Sequence, residues 1–198
     1  TARSSIIEMQ FVGLEFQTGD FFNTSLFQNY ESPATNFNIY GSVILPQNLG
    51  HHFTRLQMFG GTSARRKLSI FGNYNFGQFY SGHRREVFIS LGIRPRPGVT
   101  ITLDYNPNRV NLVEGRFSTS LMRVGSNYQL TTRIGIANTL QYDTVSKLLG
   151  WQFRFRWIER PGNDLFVVYT HNWQEPEGPS PRRFGTVDNR LALKFLYS

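Results

Sequence analysis

The chain contains no cysteine in its 198 residues, which excludes disulfides and thiolate metal sites. Passage through an oxidising periplasm is compatible with that absence. Long apolar runs are missing too. The longest unbroken one, Leu165–Tyr169, is far short of the roughly 18 residues a membrane-spanning helix needs. The first residues, "TARSSIIEMQF", carry neither the basic start nor the apolar core of a secretory signal, so a mature chain or an internal fragment is expected. Charge is scarce, at 17% of residues against roughly 25% in ordinary soluble domains. No segment shows an apolar stripe at helical spacing.

Catalytic signatures are also lacking. No GxSxG, no Ser/His/Asp set and no HExxH occurs, and "GTSARRK" has no phosphate-loop pattern. The four histidines are His51, His52, His83 and His171. The first two are adjacent, so on a strand they point to opposite faces. No carboxylate cluster accompanies any of them. The expectation is a protein that is not an enzyme, with no metal and no cofactor.

What the sequence does have is aromatic residues, at 15%, and alternation. In "KLLGWQFRFRWIERPGND", Leu149, Trp151, Phe153, Phe155 and Trp157 share one parity, while Gln152, Arg154 and Arg156 share the other. That is the period of a strand with unlike faces. Similar runs predict strands at Ser5–Gln17, Phe21–Tyr30, Phe53–Gly60, Lys67–Phe79, Glu86–Arg94, Val99–Asn106, Arg116–Gln129, Thr132–Asp143, Leu148–Arg160, Leu165–Trp173 and Asn189–Ser198. In the first of these, Ile7, Met9 and Phe11 fall on one parity and Leu14 and Phe16 on the other. A bulge near Gly13 would produce the switch.

Tight Gly/Pro/Asn/Asp connections at Thr18–Asp20, Gly61–Arg65, Arg94–Gly98, Leu130–Thr132 and Arg160–Asp164 alternate with longer polar links. The longer links are Glu31–His52, Tyr80–Arg85, Pro107–Gly115, Thr144–Lys147 and Gln174–Asp188. Short and long loops alternate in outer-membrane barrels, whose apolar rows face lipid and whose polar rows line the lumen. On that architecture the lipid-facing row includes Leu149, Trp151, Phe153, Phe155, Trp157, Leu191, Leu193 and Phe195. Aromatics gather near strand ends, as in interfacial girdles. Tyr105, Tyr142, Trp151, Tyr169 and Trp173 fall toward the long links, and Tyr128, Trp157 and Tyr197 toward the short ones. In a soluble sandwich the same aromatics would instead fill a core.

The net charge is +8, which favours anionic partners. Arg94, Arg123, Arg133, Arg154, Arg156, Arg190 and Lys194 lie on the polar rows, with Glu8, Glu15 and Asp104 as the nearest acids. A barrel lumen lined by them is electropositive. "YSGHRRE" reads as a basic loop, either solvated or in contact with lipopolysaccharide phosphates. "RFRW" puts arginine and aromatic on opposite faces, so stacking and phosphate contact cannot share one surface. Nucleic acid is therefore not an expected partner.

The span from Phe53 to Ser198 resembles the C-terminal β-barrel, a domain of unknown function, of a Gram-negative outer-membrane family. The most specific pieces are "LQYDTVSKLLGWQFRFRWIERPGNDLFVVY" and "DNRLALKFLYS". That family carries a family 9-like carbohydrate-binding module ahead of the barrel, and members are sometimes labelled as hydrolases. The resemblance implies an outer-membrane location, with outer-membrane lipid, lipopolysaccharide and other outer-membrane proteins as partners. Carbohydrate would be a partner only through a module that lies outside this sequence. In the family the last strand usually runs a few residues further, so a longer parent chain is expected.

The expected fold is an all-β antiparallel transmembrane barrel, an up-and-down meander of about eleven strands forming one domain or the C-terminal part of one. An odd count fits poorly with a closed single-chain barrel, so a larger parent barrel is expected. Three functions compete. The first is a pore or membrane anchor with a basic lumen. The second is a non-conducting subunit of a larger outer-membrane assembly, and the third is a soluble β-sandwich binding domain.

Overall fold

The structure is a computed structural model, and it describes residues 3–41, 43–176 and 184–197. Among these every regular element is a strand: β1 (Arg3–Glu15), β2 (Phe21–Ser32), β3 (Phe37–Tyr40), β4 (Val43–Leu45), β5 (His51–Gly61), β6 (Leu68–Phe79), β7 (Gly82–Ile93), β8 (Val99–Asn111), β9 (Arg116–Gln129), β10 (Ile134–Asp143), β11 (Leu148–Arg160), β12 (Asn163–Gln174) and β13 (Gly185–Leu196). Eleven form an antiparallel meander in the order β1-β2-β5-β6-β7-β8-β9-β10-β11-β12-β13, and β3 and β4 pair with each other. β1 and β13 each have one neighbour, so the sheet has two open edges.

The chain divides into two compact units. One comprises Thr1–Ala64, Ile70–Ile89 and Asn106–Thr119, and the other Arg65–Ser69, Ser90–Tyr105 and Ser120–Ser198.

Period-two alternation placed the eleven long strands closely, and the bounds of β9 and β11 match the sequence expectation. The bulge in β1 falls between Gln10 and Val12. Ile7 and Met9 therefore share a face with Val12 and Leu14. The turn at Pro161–Gly162 uses Gly162 at φ 92°, a conformation costly for a residue with a Cβ.

Three expectations need correction. The segment Tyr80–Arg85 is not a long link: β6 and β7 join through Tyr80–Ser81 alone, and "HRRE" belongs to the strand β7. Close approach is what makes this possible, since a Cβ on Gly82 would sit 1.9 Å from the Asn111 carbonyl oxygen. β8 likewise runs on to Asn111, which shortens the expected Pro107–Gly115 link. The link Glu31–His52 contains the β3–β4 hairpin, which the sequence pattern does not reveal. Of the long link Gln174–Asp188, residues 177–183 lie outside the described residues, and its last four residues belong to β13.

The chain buries little apolar surface. Among the described residues the buried hydrophobics are Val43, Leu45, Phe53, Val110 and Leu112. Four of them, all but Phe53, form one cluster in the first unit, with Ile39, Phe79, Tyr80 and Phe117 packed around it. Phe117 also stacks on Tyr40 at 4.7 Å.

Candidate functional site

The strands of the second unit present a polar and an apolar face. In the second unit, register resolves the polar face into rows. Thr139 pairs with Gly125 and Gln152, Gln152 with Thr170, and Thr170 with Arg190. One step along, Ala137 pairs with Asn127 and Arg154, Arg154 with Val168, and Val168 with Ala192. A third row runs through Gln129, Gly135, Arg156, Phe166 and Lys194. Small residues between the arginines leave open space. One cavity of about 510 Å³ is lined by Thr139, Gln152, Thr170, Asn172, Asp188 and Arg190. Another of about 300 Å³ is lined by Thr102, Arg123, Asn127 and Arg154.

Acids neutralise part of this face. The Arg123 guanidinium lies 2.6 Å from an Asp104 oxygen, and the other Asp104 oxygen accepts from Ser90 Oγ at 2.6 Å. Arg156 lies 2.8 Å from Asp164 and over the Phe166 ring at 5.4 Å. Asn172 donates to Asp188 at 2.8 Å. Arg154, Arg190 and Lys194 are exposed and have no ion pair among the described residues. Sequence reasoning listed Asp104 but missed Asp164 and Asp188, which share parity with Phe166 and Arg190. Arg94 and Arg133 sit in the turns that precede β8 and β10 rather than on strands. Glu8 and Glu15 lie on the polar face of β1, opposite Phe27 and Phe21.

In the first unit the polar face carries its own network. Glu86 lies 2.9 Å from Arg84 and 3.5 Å from Arg55. Arg84 Nε donates to Asn108 at 3.0 Å, and both guanidinium groups lie over the Phe79 ring, at 5.9 and 5.1 Å. The His51 ring meets Tyr80 edge-on at 5.2 Å. His51 is 8% exposed, and its Nε2 has no hydrogen-bond partner among the described residues. The adjacent His52 is exposed and packs against Tyr30 at 4.6 Å. In the turn, the Tyr80 hydroxyl donates to Glu31. Burial first, then Glu31, pushes that phenol well above its ordinary range. Arg84 falls in the segment expected as a loop, whereas Arg55 and Glu86 fall in expected strands and join it only through the register of neighbouring strands.

The β3–β4 hairpin lies on this polar face. Asn108 bonds Arg84 and Thr119, and Val110 and Leu112 continue the parity of Asn108. Val43 and Leu45 pack against those two residues.

The apolar faces differ in exposure from strand to strand. On β11, Trp151, Phe153 and Phe155 are half-buried against neighbours within the sheet, and Trp157 is 41% exposed. On β13, Leu191, Leu193 and Phe195 are 64%, 70% and 58% exposed. Tyr142, Leu149 and Trp173 form a row at one end, and Ile134, Trp157, Leu165 and Phe195 form a row at the other. Tyr128 is one row in from that second end, and the Arg96 guanidinium lies 5.1 Å from its ring. Trp151 meets Tyr169 edge-on at 5.6 Å, and Trp173 stacks on His171 at 4.0 Å. Tyr105 is 40% exposed on β8, and Tyr197 lies just past β13 at 80%.

No family model matches the chain, and no curated protein or solved structure matches it either. Among the described residues no three His, Asp or Glu side chains gather as a metal site.

Proposed function

We propose that this chain forms wall strands of a Gram-negative outer-membrane β-barrel, serving as a pore or anchor whose lumen face is basic. The carrying observation is where the chain covers itself. Among the described residues, the buried apolar cluster sits on the polar face, under the β3–β4 hairpin. Among the described residues, the rows through Trp151, Phe153, Leu191 and Leu193 are flanked by neighbouring strands, and Leu191 and Leu193 stay 64% and 70% exposed. A soluble protein spends its excursions on hiding apolar rows. Burying one large apolar side chain is worth about 1.5–3 kcal/mol, and a whole domain is stable by only about 5–15 kcal/mol. Leaving β13 bare in water forgoes that gain at each of its apolar positions, whereas acyl chains supply it. Strands of ten to fourteen residues meet the roughly 9–11 residues that a tilted spanning strand needs.

The two open edges fit the same reading. Unpaired backbone groups in lipid cost several kcal/mol each, so β1 and β13 take further strands in the membrane. An odd meander leaves its first and last strands running the same way, which calls for an odd number of additional strands to close in antiparallel fashion. The resemblance to the barrel domain that follows a family 9-like carbohydrate-binding module supports the same assignment. Any carbohydrate contact then belongs to that module, outside this sequence.

The test is outer-membrane fractionation with heat-modifiable gel migration, followed by quenching of Trp151 and Trp157 fluorescence by brominated acyl chains. A chain that stays soluble without detergent and is not quenched overturns the proposal. A second reading, a non-conducting subunit, is favoured by the hairpin, which occupies part of the polar face. Single-channel conductance separates the two: anion-selective current supports the pore, and a silent inserted barrel supports the structural subunit.

A further inference from the structure

We propose that His83, Arg85 and Arg109 form a site for the phosphate groups of an outer-leaflet glycolipid headgroup. This inference rests on the membrane reading above. On the apolar parity of β7 the order is His83, Arg85, Val87, Ile89, Leu91, Ile93. On that of β8 it is Val99, Ile101, Leu103, Tyr105, Pro107, Arg109. Both strands turn from apolar to basic at the end away from the turn that joins them. That is the level at which a lipid headgroup meets a barrel wall.

The charges on this parity are unused. Arg84, which points to the opposite face, is spent on Glu86 and Asn108. His83, Arg85 and Arg109 are all exposed, with no hydrogen bond or ion pair among the described residues. Together with Phe76, Gly77, Arg84 and Asn111 they line a cavity of about 500 Å³. No acid lines it. Glu86 is held between Arg55 and Arg84, and Glu114 accepts from Ser81.

The ligand chemistry follows from the lining. Two guanidinium forks suit phosphate oxygens, which they bind with two parallel bonds each. Phe76, stacked on Tyr74 at 4.8 Å, gives the cavity an apolar wall, and the strand continues into Val87 and Ile89. A free anion has no use for that wall. An acylated, phosphorylated sugar matches both parts, with phosphate at the arginines and acyl chain along the apolar row.

The experiment uses the full chain inserted in phosphatidylcholine vesicles doped with a bisphosphorylated, acylated glucosamine disaccharide or with its dephosphorylated form. Retention of the glycolipid by the protein is measured for the wild type, for Arg85→Gln/Arg109→Gln, and for Arg190→Gln as a control on the other face. The expected result is retention of the phosphorylated form alone, weakened about tenfold or more in the double variant and unchanged in the control. Equal retention by the double variant overturns the site. So does equally good competition by inorganic phosphate, which would make it a free-anion site. Heat-modifiable migration is read on every sample. A wild type that never inserts overturns the membrane reading, whereas one that inserts without retaining the glycolipid overturns this site only.

Discussion

Leu45, on the β3–β4 hairpin, and Val110, on β8, pack into one cluster at 0% and 2% exposure. Val43, Ile39 and the Tyr40–Phe117 stack join Leu45 in holding the hairpin, and Leu45 is the most buried of them. Truncating a buried leucine costs about 2–5 kcal/mol, which is more than a short two-strand hairpin can replace from its own pairing. In Leu45→Ala the hairpin should detach while the eleven-stranded sheet persists. Limited proteolysis between Asn36 and Gln47 should accelerate, with unchanged heat-modifiable migration. If the pore reading holds, conductance should rise as well. A variant as resistant to protease as the wild type would show that the hairpin is held by something else.

The Arg123–Asp104 pair should respond asymmetrically. The Asp104 side chain is 8% exposed and that of Arg123 is 50%. Arg123→Met strands a buried carboxylate with only Ser90 as a donor, at a cost of about 1–3 kcal/mol. Adding Asp104→Asn removes the stranded charge and should recover part of the loss. Urea unfolding in detergent micelles tests this. Additive losses in the double variant would mean that the pair is not the coupled unit.

These elements differ in how well the sequence announced them. β11 was legible to the residue because its apolar row from Leu149 to Trp157 is unbroken and period two is a strong signal; β9 was bounded by its flanking turn residues, although serines interrupt its row. The upper ends of β7 and β8 were not legible. There the outer parity carries His83, Arg85 and Arg109, so hydrophobic alternation stops while the strand goes on. β3 and β4 are four and three residues long, too short for any period to declare itself. On the polar face, Arg154, Arg156 and Arg190 were legible from parity alone. Their acidic neighbours were missed for a different reason: Asp164 was assigned to a turn and Asp188 to a link, and only the register brings them to Arg156 and Asn172.

Tyr80 supplies a pH dependence. Its phenol is raised above the ordinary value of 10.0 by burial, with the Glu31 hydrogen bond and charge adding to it. Below pH 10 the phenol is protonated in both folded and unfolded chains, and the bond to Glu31 contributes fully. Above it, the unfolded chain gives up a proton that the folded chain keeps, so stability falls as pH rises. Any stability advantage of the wild type over Tyr80→Phe should therefore be constant below pH 10 and shrink above it. Glu31→Gln should bring the Tyr80 phenolate absorbance to lower pH. A Tyr80 that titrates with the bulk tyrosines would contradict the buried bond.

Orientation is tested most sharply by charge placed at two depths of one strand. Phe153 occupies the middle of the β11 apolar row, between Trp151 and Phe155. Trp157 is at its end, in register with Ile134 and Leu165. An arginine on the lipid face of a barrel costs about 2–4 kcal/mol at the bilayer midplane and about 0–1 near the interface. Phe153→Arg should therefore impair folding into vesicles far more than Trp157→Arg. Arg154→Gln, one residue away on the polar face, should leave insertion unchanged. The measurement is the reversible unfolding free energy in lipid vesicles. Equal effects at 153 and 157 would mean that no bilayer core faces this row, since a water-facing surface has no depth for a charge to sense.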